Sequence, residues 1–326
     1  MTSRLGEALG IDVPLIQGPM GGVAGPRLVA AVANAGAFGV LPIWADSLAN
    51  AQKGIEETRR SIDGDRPFAV NLRSDLEQSD HIRLATDCGV RWFHVFWGDP
   101  RKTAAEIRGH GGRFIATVGD VDVARSALDG GAAALVAQGV EAGGHVASEV
   151  PLADLLPAVI DCAGDVPVVA AGGIGNEADA KAAIEMGAAG ILCGTRFVAS
   201  EESKAHPLYK KAIVQASAED TVRSLCFDLG WTDAPHRTLR NESHAIWERA
   251  GCPPMGERPG ERDVILTLEA GIEWTRYFVV PPAEDMSGDI LGAALYAGTS
   301  VGRIDAIEPV SAIIERFRKV LPPVDP

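Results

Sequence analysis

The chain has 326 residues, 46% of them hydrophobic and 23% charged, which is enough apolar material for one large α/β barrel or two ordinary domains. Its formal net charge of −14 argues against nucleic acid or an anionic membrane as partner, and no uncharged stretch nears the roughly 20 apolar residues of a membrane span. The five scattered cysteines form no CxxC pair and the start "MTSRLGEALGIDVPLIQ" lacks a secretory pattern, so reduced thiols and a cytoplasmic location are expected.

Short apolar runs alternate with helical patterns from the beginning. Strands are predicted at "VPLIQ" (13–17), "FGVLP" (38–42), "FAVNL" (68–72), "WFHVFW" (92–97), "RFIATV" (113–118), "AALVAQ" (133–138), "PVVAA" (167–171) and "GILCG" (190–194). Several are apolar almost throughout, as parallel strands covered on both faces must be. Helices fall between them, at 26–36, at 120–131 behind an N-capping Asp120, and at 176–188 behind Asn176. The junctions "NAGAFG", "DCGVRW", "DGGAAA" and "EMGAAG" use one device, a glycine that ends a helix before the next strand.

Strand–helix units repeated this often indicate an α/β protein of the (β/α)8 TIM-barrel type, with residues 1–220 as the barrel. After residue 200 the repeat breaks. Residues 221–285 are rich in Pro and Gly and read as a smaller, mainly helical insertion after strand 8, covering the barrel mouth. Residues 286–326 are expected to complete the barrel with two helical stretches, "GDILGAALYAGTSVG" and "EPVSAIIERFRKVL".

Chemistry in such barrels collects in the loops after the strands. Gly172 and Gly173 after strand 7, with Gly194 and Thr195 after strand 8, offer bare backbone and a hydroxyl to a phosphate. Met20, Asn71 and Gln138 lie at other strand ends, where apolar and amide groups could orient a flat ring. The run "QGVEAGGH" (138–145) places His145 beside two glycines at the end of strand 6. His94 alternates with aromatics as an interior residue would, His206 precedes a proline and would cap a helix, and His236 could touch substrate or serve packing. His81, His110 and His244 read as surface residues. No HxH, HExxH or acid/histidine cluster supports a metal site.

In order and spacing, "QGPMGG", "PFAVNL", "QGVEAGGH", "VVAAGGI" and "GAAGILCGTRFVASEES" resemble the nitronate monooxygenase (2-nitropropane dioxygenase-like) family. The resemblance runs from about residue 11 to 245. It implies an FMN-binding TIM barrel in which FMN contacts Met20, Gly21, Gly22, Asn71, Gln138 and Gly143. The phosphate would sit at Gly172, Gly173, Gly194 and Thr195, and His145 would be the catalytic histidine. Glycines 143 and 144 would let the backbone pass close to the flavin. The implied reaction is oxidation of an alkyl nitronate with O2 to a carbonyl compound and nitrite. The same pattern is shared with FMN-dependent enoyl-acyl-carrier-protein and quinone reductases, so NAD(P)H is an alternative donor, with Arg73, Arg196 and Arg237 as candidate charges for it. A flavin-binding module without catalysis is the reading from another class. The sequence leaves a homo-oligomer open.

Overall fold

All eight apolar runs form strands in the computed structural model, which describes residues 3–324. They are β1 (Leu15–Gln17), β2 (Gly39–Pro42), β3 (Phe68–Arg73), β4 (Trp92–Phe96), β5 (Arg113–Val118) and β6 (Ala134–Gln138). A short strand β7 (Gly144–His145) lies outside the barrel, and β8 (Val168–Ala171) and β9 (Gly190–Cys193) complete it. The parallel order is β1-β9-β8-β6-β5-β4-β3-β2. Closure comes from β1 meeting the start of β2: Phe38 N donates to Leu15 O and Gln17 N to Phe38 O, each at 2.9 Å. This single bridge, Ile16 to Phe38, nearly closes the barrel.

The alternation of side chains along each strand produces two cores. One face packs on the outer helices, through Leu28, Val32, Ile55, Phe93, Phe114 and Leu156 among others. The other fills the barrel with Ile16, Phe38, Val40, Ile115, Val136 and Val169. Leu5 and Leu9 join this interior from a helix, Arg4–Leu9, which closes the N-terminal end of the barrel near Gly190. The four junction glycines, Gly36, Gly89, Gly131 and Gly187, all adopt positive φ, between +81° and +100°. Each follows a helix and turns the chain into the next strand, as their repeated motif predicts.

Residues 221–285 correct the expectation of a mainly helical insertion. They hold one helix, Glu242–Arg249, and four strands, β10 (Thr221–Ser224), β11 (His236–Leu239), β12 (Val264–Leu268) and β13 (Glu273–Thr275), with a fifth, β14 (Met286–Gly288), just beyond. Two antiparallel three-stranded sheets result, β10-β11-β7 and β13-β12-β14. The Pro/Gly punctuation marks hairpin turns rather than helix ends, and "VILTL" is a β-branched run suited to a strand. The stretch 288–302 is also not helical. Its centre is extended along β11, with Leu239 N donating to Leu295 O at 2.8 Å and Ala297 N to Arg237 O at 3.2 Å. Only the 3-10 turns Ile290–Gly292 and Thr299–Arg303 are wound, and Gly292 and Gly298 flank the extended part. The second C-terminal helix is present as Val310–Arg318, with Val310, Ile313, Ile314 and Phe317 buried.

Candidate active site

At the C-terminal ends of the strands lies a cavity of about 730 Å³, within the ordinary size range of a ligand pocket. Met20, Gly21, Gly22, Asn71, Gln138, Gly143, His145, Gly172, Gly173, Gly194 and Thr195 all line it. Residues spread over 176 positions of sequence are thus brought to one wall by the parallel strand order. Of the three arginines considered as charges for a nucleotide, only Arg73 lines the cavity. Arg196 donates to Ala199 O at 2.9 Å and pairs with Glu308, while Arg237 donates to Val140 O at 2.9 Å. Both are committed to holding loops together.

The floor is polar and internally bonded. Asn71 Nδ2 donates to His94 Nδ1 at 2.9 Å, which sets the tautomer so that His94 Nε2 donates to Thr117 Oγ1 at 2.8 Å. His94 is buried, and burial pushes its pKa down to about 3. It is the hydrogen-bonded interior residue that its strand position suggests. Gln138 Nε2 donates to His145 O at 3.3 Å, while its Oε1 is buried without a partner.

The glycine loop around His145 is also shaped by its protein neighbours. A Cβ on Gly143 would collide with the backbone of Ala297, 2.6 Å from its carbonyl carbon, and with Gly298 N. Gly143 is bare because the extended 293–298 segment crosses it. Gly144 takes φ +80°, which starts β7 on its short pairing with β11, His145 opposite His236. Glu141 of the same loop accepts from Leu152 N at 3.0 Å and so caps the helix Leu152–Ala163. Gly172 and Gly173 adopt φ +106° and +71°.

His145 is half-buried at the cavity wall, and its Nε2 is buried without a partner. Burial first, then the nearby His236 and Arg73, hold its pKa well below 6.5, so the imidazole is neutral at ordinary pH. Trp231 stacks on it, with ring centres 3.9 Å apart and planes 20° off parallel. Trp97 and Tyr296 stand at 6.1 and 5.5 Å. Arg73 lies with its Cζ 3.4 Å from the Trp231 ring centre, 4.7 Å from Trp44, and pairs with Asp75 at 2.5 Å. Sequence reading did not assign this aromatic wall of Trp44, Trp97, Trp231 and Tyr296 to the site. Lys53 and Lys204, also missed, line the outer part of the cavity.

The other histidines sort by hydrogen bonding. His236 Nδ1 donates to Ala234 O at 3.0 Å and its Nε2 accepts from Phe227 N at 3.0 Å. It is fully buried and does not line the cavity, so the chance of substrate contact left open for it is not realised. His206 caps its helix, accepting from Leu208 N at 3.1 Å. His244 corrects its surface reading: it is fully buried, bonded to Asn241 and Thr238. Its charged sequence neighbours lie on the outer face of the helix, while the capping box turns the imidazole inward.

Burial lowers the pKa of His94 to about 3, of His236 to about 4 and of His244 to about 3. Below the unfolded value near 6.5 the unfolded chain takes up protons that the native chain refuses, so stability falls as pH falls. The loss runs from about 6.5 down to the folded values, at roughly 1.4 kcal/mol per histidine per pH unit. Urea denaturation at pH 7, 6 and 5 should therefore show a steadily falling midpoint; an unchanged midpoint removes the neutral assignment of these buried rings.

The nitronate monooxygenase family model matches residues 2–319. The chain is 34% identical to a (3aS,4S,5R,7aS)-5-hydroxy-7a-methyl-1-oxo-octahydro-1H-indene-4-carboxyl-CoA dehydrogenase of Rhodococcus jostii, over 77% of this chain and 69% of that one. It is 29% identical to a nitronate monooxygenase of Pseudomonas aeruginosa, over 82% of this chain and 88% of the other. Among solved structures, FabK of Thermotoga maritima superposes with a TM-score of 0.81 at 31% identity, covering 98% of this chain and 96% of that one. Nitroalkane oxidase of Streptomyces ansochromogenes gives 0.79 at 26%, covering 98% of each.

Proposed function

This chain belongs to the nitronate monooxygenase family and is an oxidoreductase, and from that premise we propose that it oxidises small alkyl nitronates. FMN is the bound cofactor in this reading, O2 the co-substrate, and a carbonyl compound and nitrite the products. The observation that supports it is the unpartnered Nε2 of His145 at the wall of a cavity that also gathers the glycine cradle.

FMN suits what the residues leave open. A Cβ on Gly194 would meet only Met20 Sδ, at 3.9 Å, and one on Gly21 would meet nothing within 4 Å. Neither glycine has a positive φ. Glycines that neither neighbour nor backbone requires leave room for a ligand. Gly172, Gly173, Gly194 and Thr195 would hold the phosphate. The Thr195 hydroxyl accepts from Gly298 N at 3.0 Å, which leaves its own proton for an anion. Met20, Gly21, Gly22, Asn71, Gln138 and Gly143 would border the ring. When bound, FMN supplies the two-electron acceptor that no side chain here can provide.

The chain's own work is positioning and proton transfer. Neutral His145 can accept the proton on the carbon beside a nitro group, and the anion so formed would stabilise the resulting imidazolium. Trp231 and the extended 293–298 segment hold the His145 loop in place, so residues 221–285 would serve as a cover over the substrate.

A second reading follows from the Rhodococcus jostii relative, whose name places a carboxyl-CoA thioester on a related site. Arg73, Lys53 and Lys204 offer positive charge along the cavity for such a substrate or for NAD(P)H. Anaerobic stopped-flow mixing separates the readings. We expect the flavin band to bleach with ethyl nitronate and not with NADH or an acyl-CoA. Bleaching by NADH or the thioester alone would overturn the nitronate reading.

A further inference from the structure

Three polar atoms on the cavity-lining residues are buried without any hydrogen-bond partner: His145 Nε2, Gln138 Oε1 and Trp231 Nε1. A buried orphan of this kind costs about 1–3 kcal/mol, so three around one cavity mark a place where a ligand supplies the missing partners. Two of them belong to residues already placed at the site. The third comes from the turn between β10 and β11.

The setting of Trp231 is specific. Its side chain is only 8% exposed. His145 and the Arg73 guanidinium approach its ring centre to 3.9 and 3.4 Å, too close to share a face, so they lie on opposite sides. Trp44 and Trp97 hold the edges at 5.3 and 5.1 Å. Its backbone N donates to Asp228 O at 3.0 Å, and Gly230 and Asp233 at positive φ fold the turn on either side. An indole clamped on both faces and at its edges cannot swing its N–H to another partner. The cation on one face draws electron density from the ring and strengthens that N–H as a donor. Beside it stands an imidazole that carries no charge.

We propose that Trp231 is a substrate-binding residue, its Nε1–H donating to an oxygen of a planar oxyanion held beside His145, with Arg73 supplying the favourable field. The proposal deepens the nitronate reading and rests on it for the identity of the anion. A nitronate brings its negative charge on its oxygens before reaction. A donor to those oxygens therefore shows itself first in binding of the anion.

The test uses the holoenzyme and propionate, an inert carboxylate with the same heavy-atom skeleton as ethyl nitronate. Trp231→Phe keeps an aromatic ring between Arg73 and His145 and removes the donor together with one ring of the indole. A second variant places 3-benzothienylalanine at position 231, which keeps the indole shape with sulfur in place of N–H. Equilibrium titration should show propionate and ethyl nitronate binding about 10- to 100-fold more weakly in both, as expected for a hydrogen bond to a charged group. Binding of neutral nitroethane and the thermal midpoint should stay near wild type. Variants that bind propionate like the wild type, or a wild type that does not bind it, overturn the proposal. A wild type that binds propionate through Trp231 yet leaves nitronate unoxidised removes the nitronate reading and leaves this assignment standing.

Discussion

Replacing His145 with alanine should leave the flavin bound while turnover of a neutral nitroalkane falls about 10²- to 10⁴-fold, the usual value of a general base. The loss belongs to removal of the carbon-bound proton. A preformed nitronate has already lost that proton and should suffer much less. The imidazole is a base of unusual setting, because burial, His236 and Arg73 keep its pKa well below 6.5. With the folded value depressed, the neutral form persists as pH falls through 6.5. The acid limb of the nitroalkane kcat/KM profile should therefore lie below the ordinary histidine range, and the nitronate profile should lack it. Because alanine also vacates the face on which Trp231 stacks, His145→Asn serves as the control of similar size. Either variant turning over neutral nitroalkane at the wild-type rate would show that another group takes the proton.

The barrel was legible because its strands are buried on both faces and written as continuous apolar runs of a few residues. The junction glycines repeat, and repetition makes a pattern readable. The insertion had neither property. β10, β11 and β13 are short and carry charged residues such as Arg223, Arg237 and Glu273, so no periodicity separates them from loop. The stretch 288–302 has the alanine and leucine of a helix, and its extended form is imposed by pairing with β11, a partner some fifty residues away in sequence.

At the site, polar and glycine residues stood out because they break apolar strand ends. The aromatic wall did not, since Trp44, Trp97, Trp231 and Tyr296 sit in four separate loops and each resembles ordinary packing on its own. One signal was local: Trp97 takes φ +67° beside Gly98, in a "WGDP" turn where a large residue is unusual. Gly143 carries a constraint that its motif does not show. A Cβ there would meet the Ala297–Gly298 backbone, so packing alone already requires a glycine at this point of the cavity wall. Distinguishing packing from ligand approach needs the three-dimensional neighbours of each glycine.

That distinction selects the variant with which to test the cofactor cradle. Gly194→Leu should yield a folded, colourless protein that FMN does not reconstitute. Gly172 and Gly173, at φ +106° and +71°, would be strained by any side chain, so a failure there would not separate folding from binding. Gly194 has φ −103° and ψ −67°, values open to an ordinary residue, and stands at the head of the short Thr195–Val198 helix. An added Cβ meets no protein atom closer than Met20 Sδ at 3.9 Å, and Gly194 lines the cavity. The fold should therefore survive while the phosphate volume is filled. Gly194→Ala, adding one methyl group, should weaken FMN without abolishing it. Losing the ligand removes its contribution to the holoenzyme melting temperature, so Gly194→Leu should melt where flavin-stripped wild type melts. Heat release followed by chromatography reads the cofactor content directly. A Gly194→Leu protein that purifies yellow with a full complement of FMN would move the phosphate away from the loops after β8 and β9, and FAD in the wild type would overturn the choice of flavin.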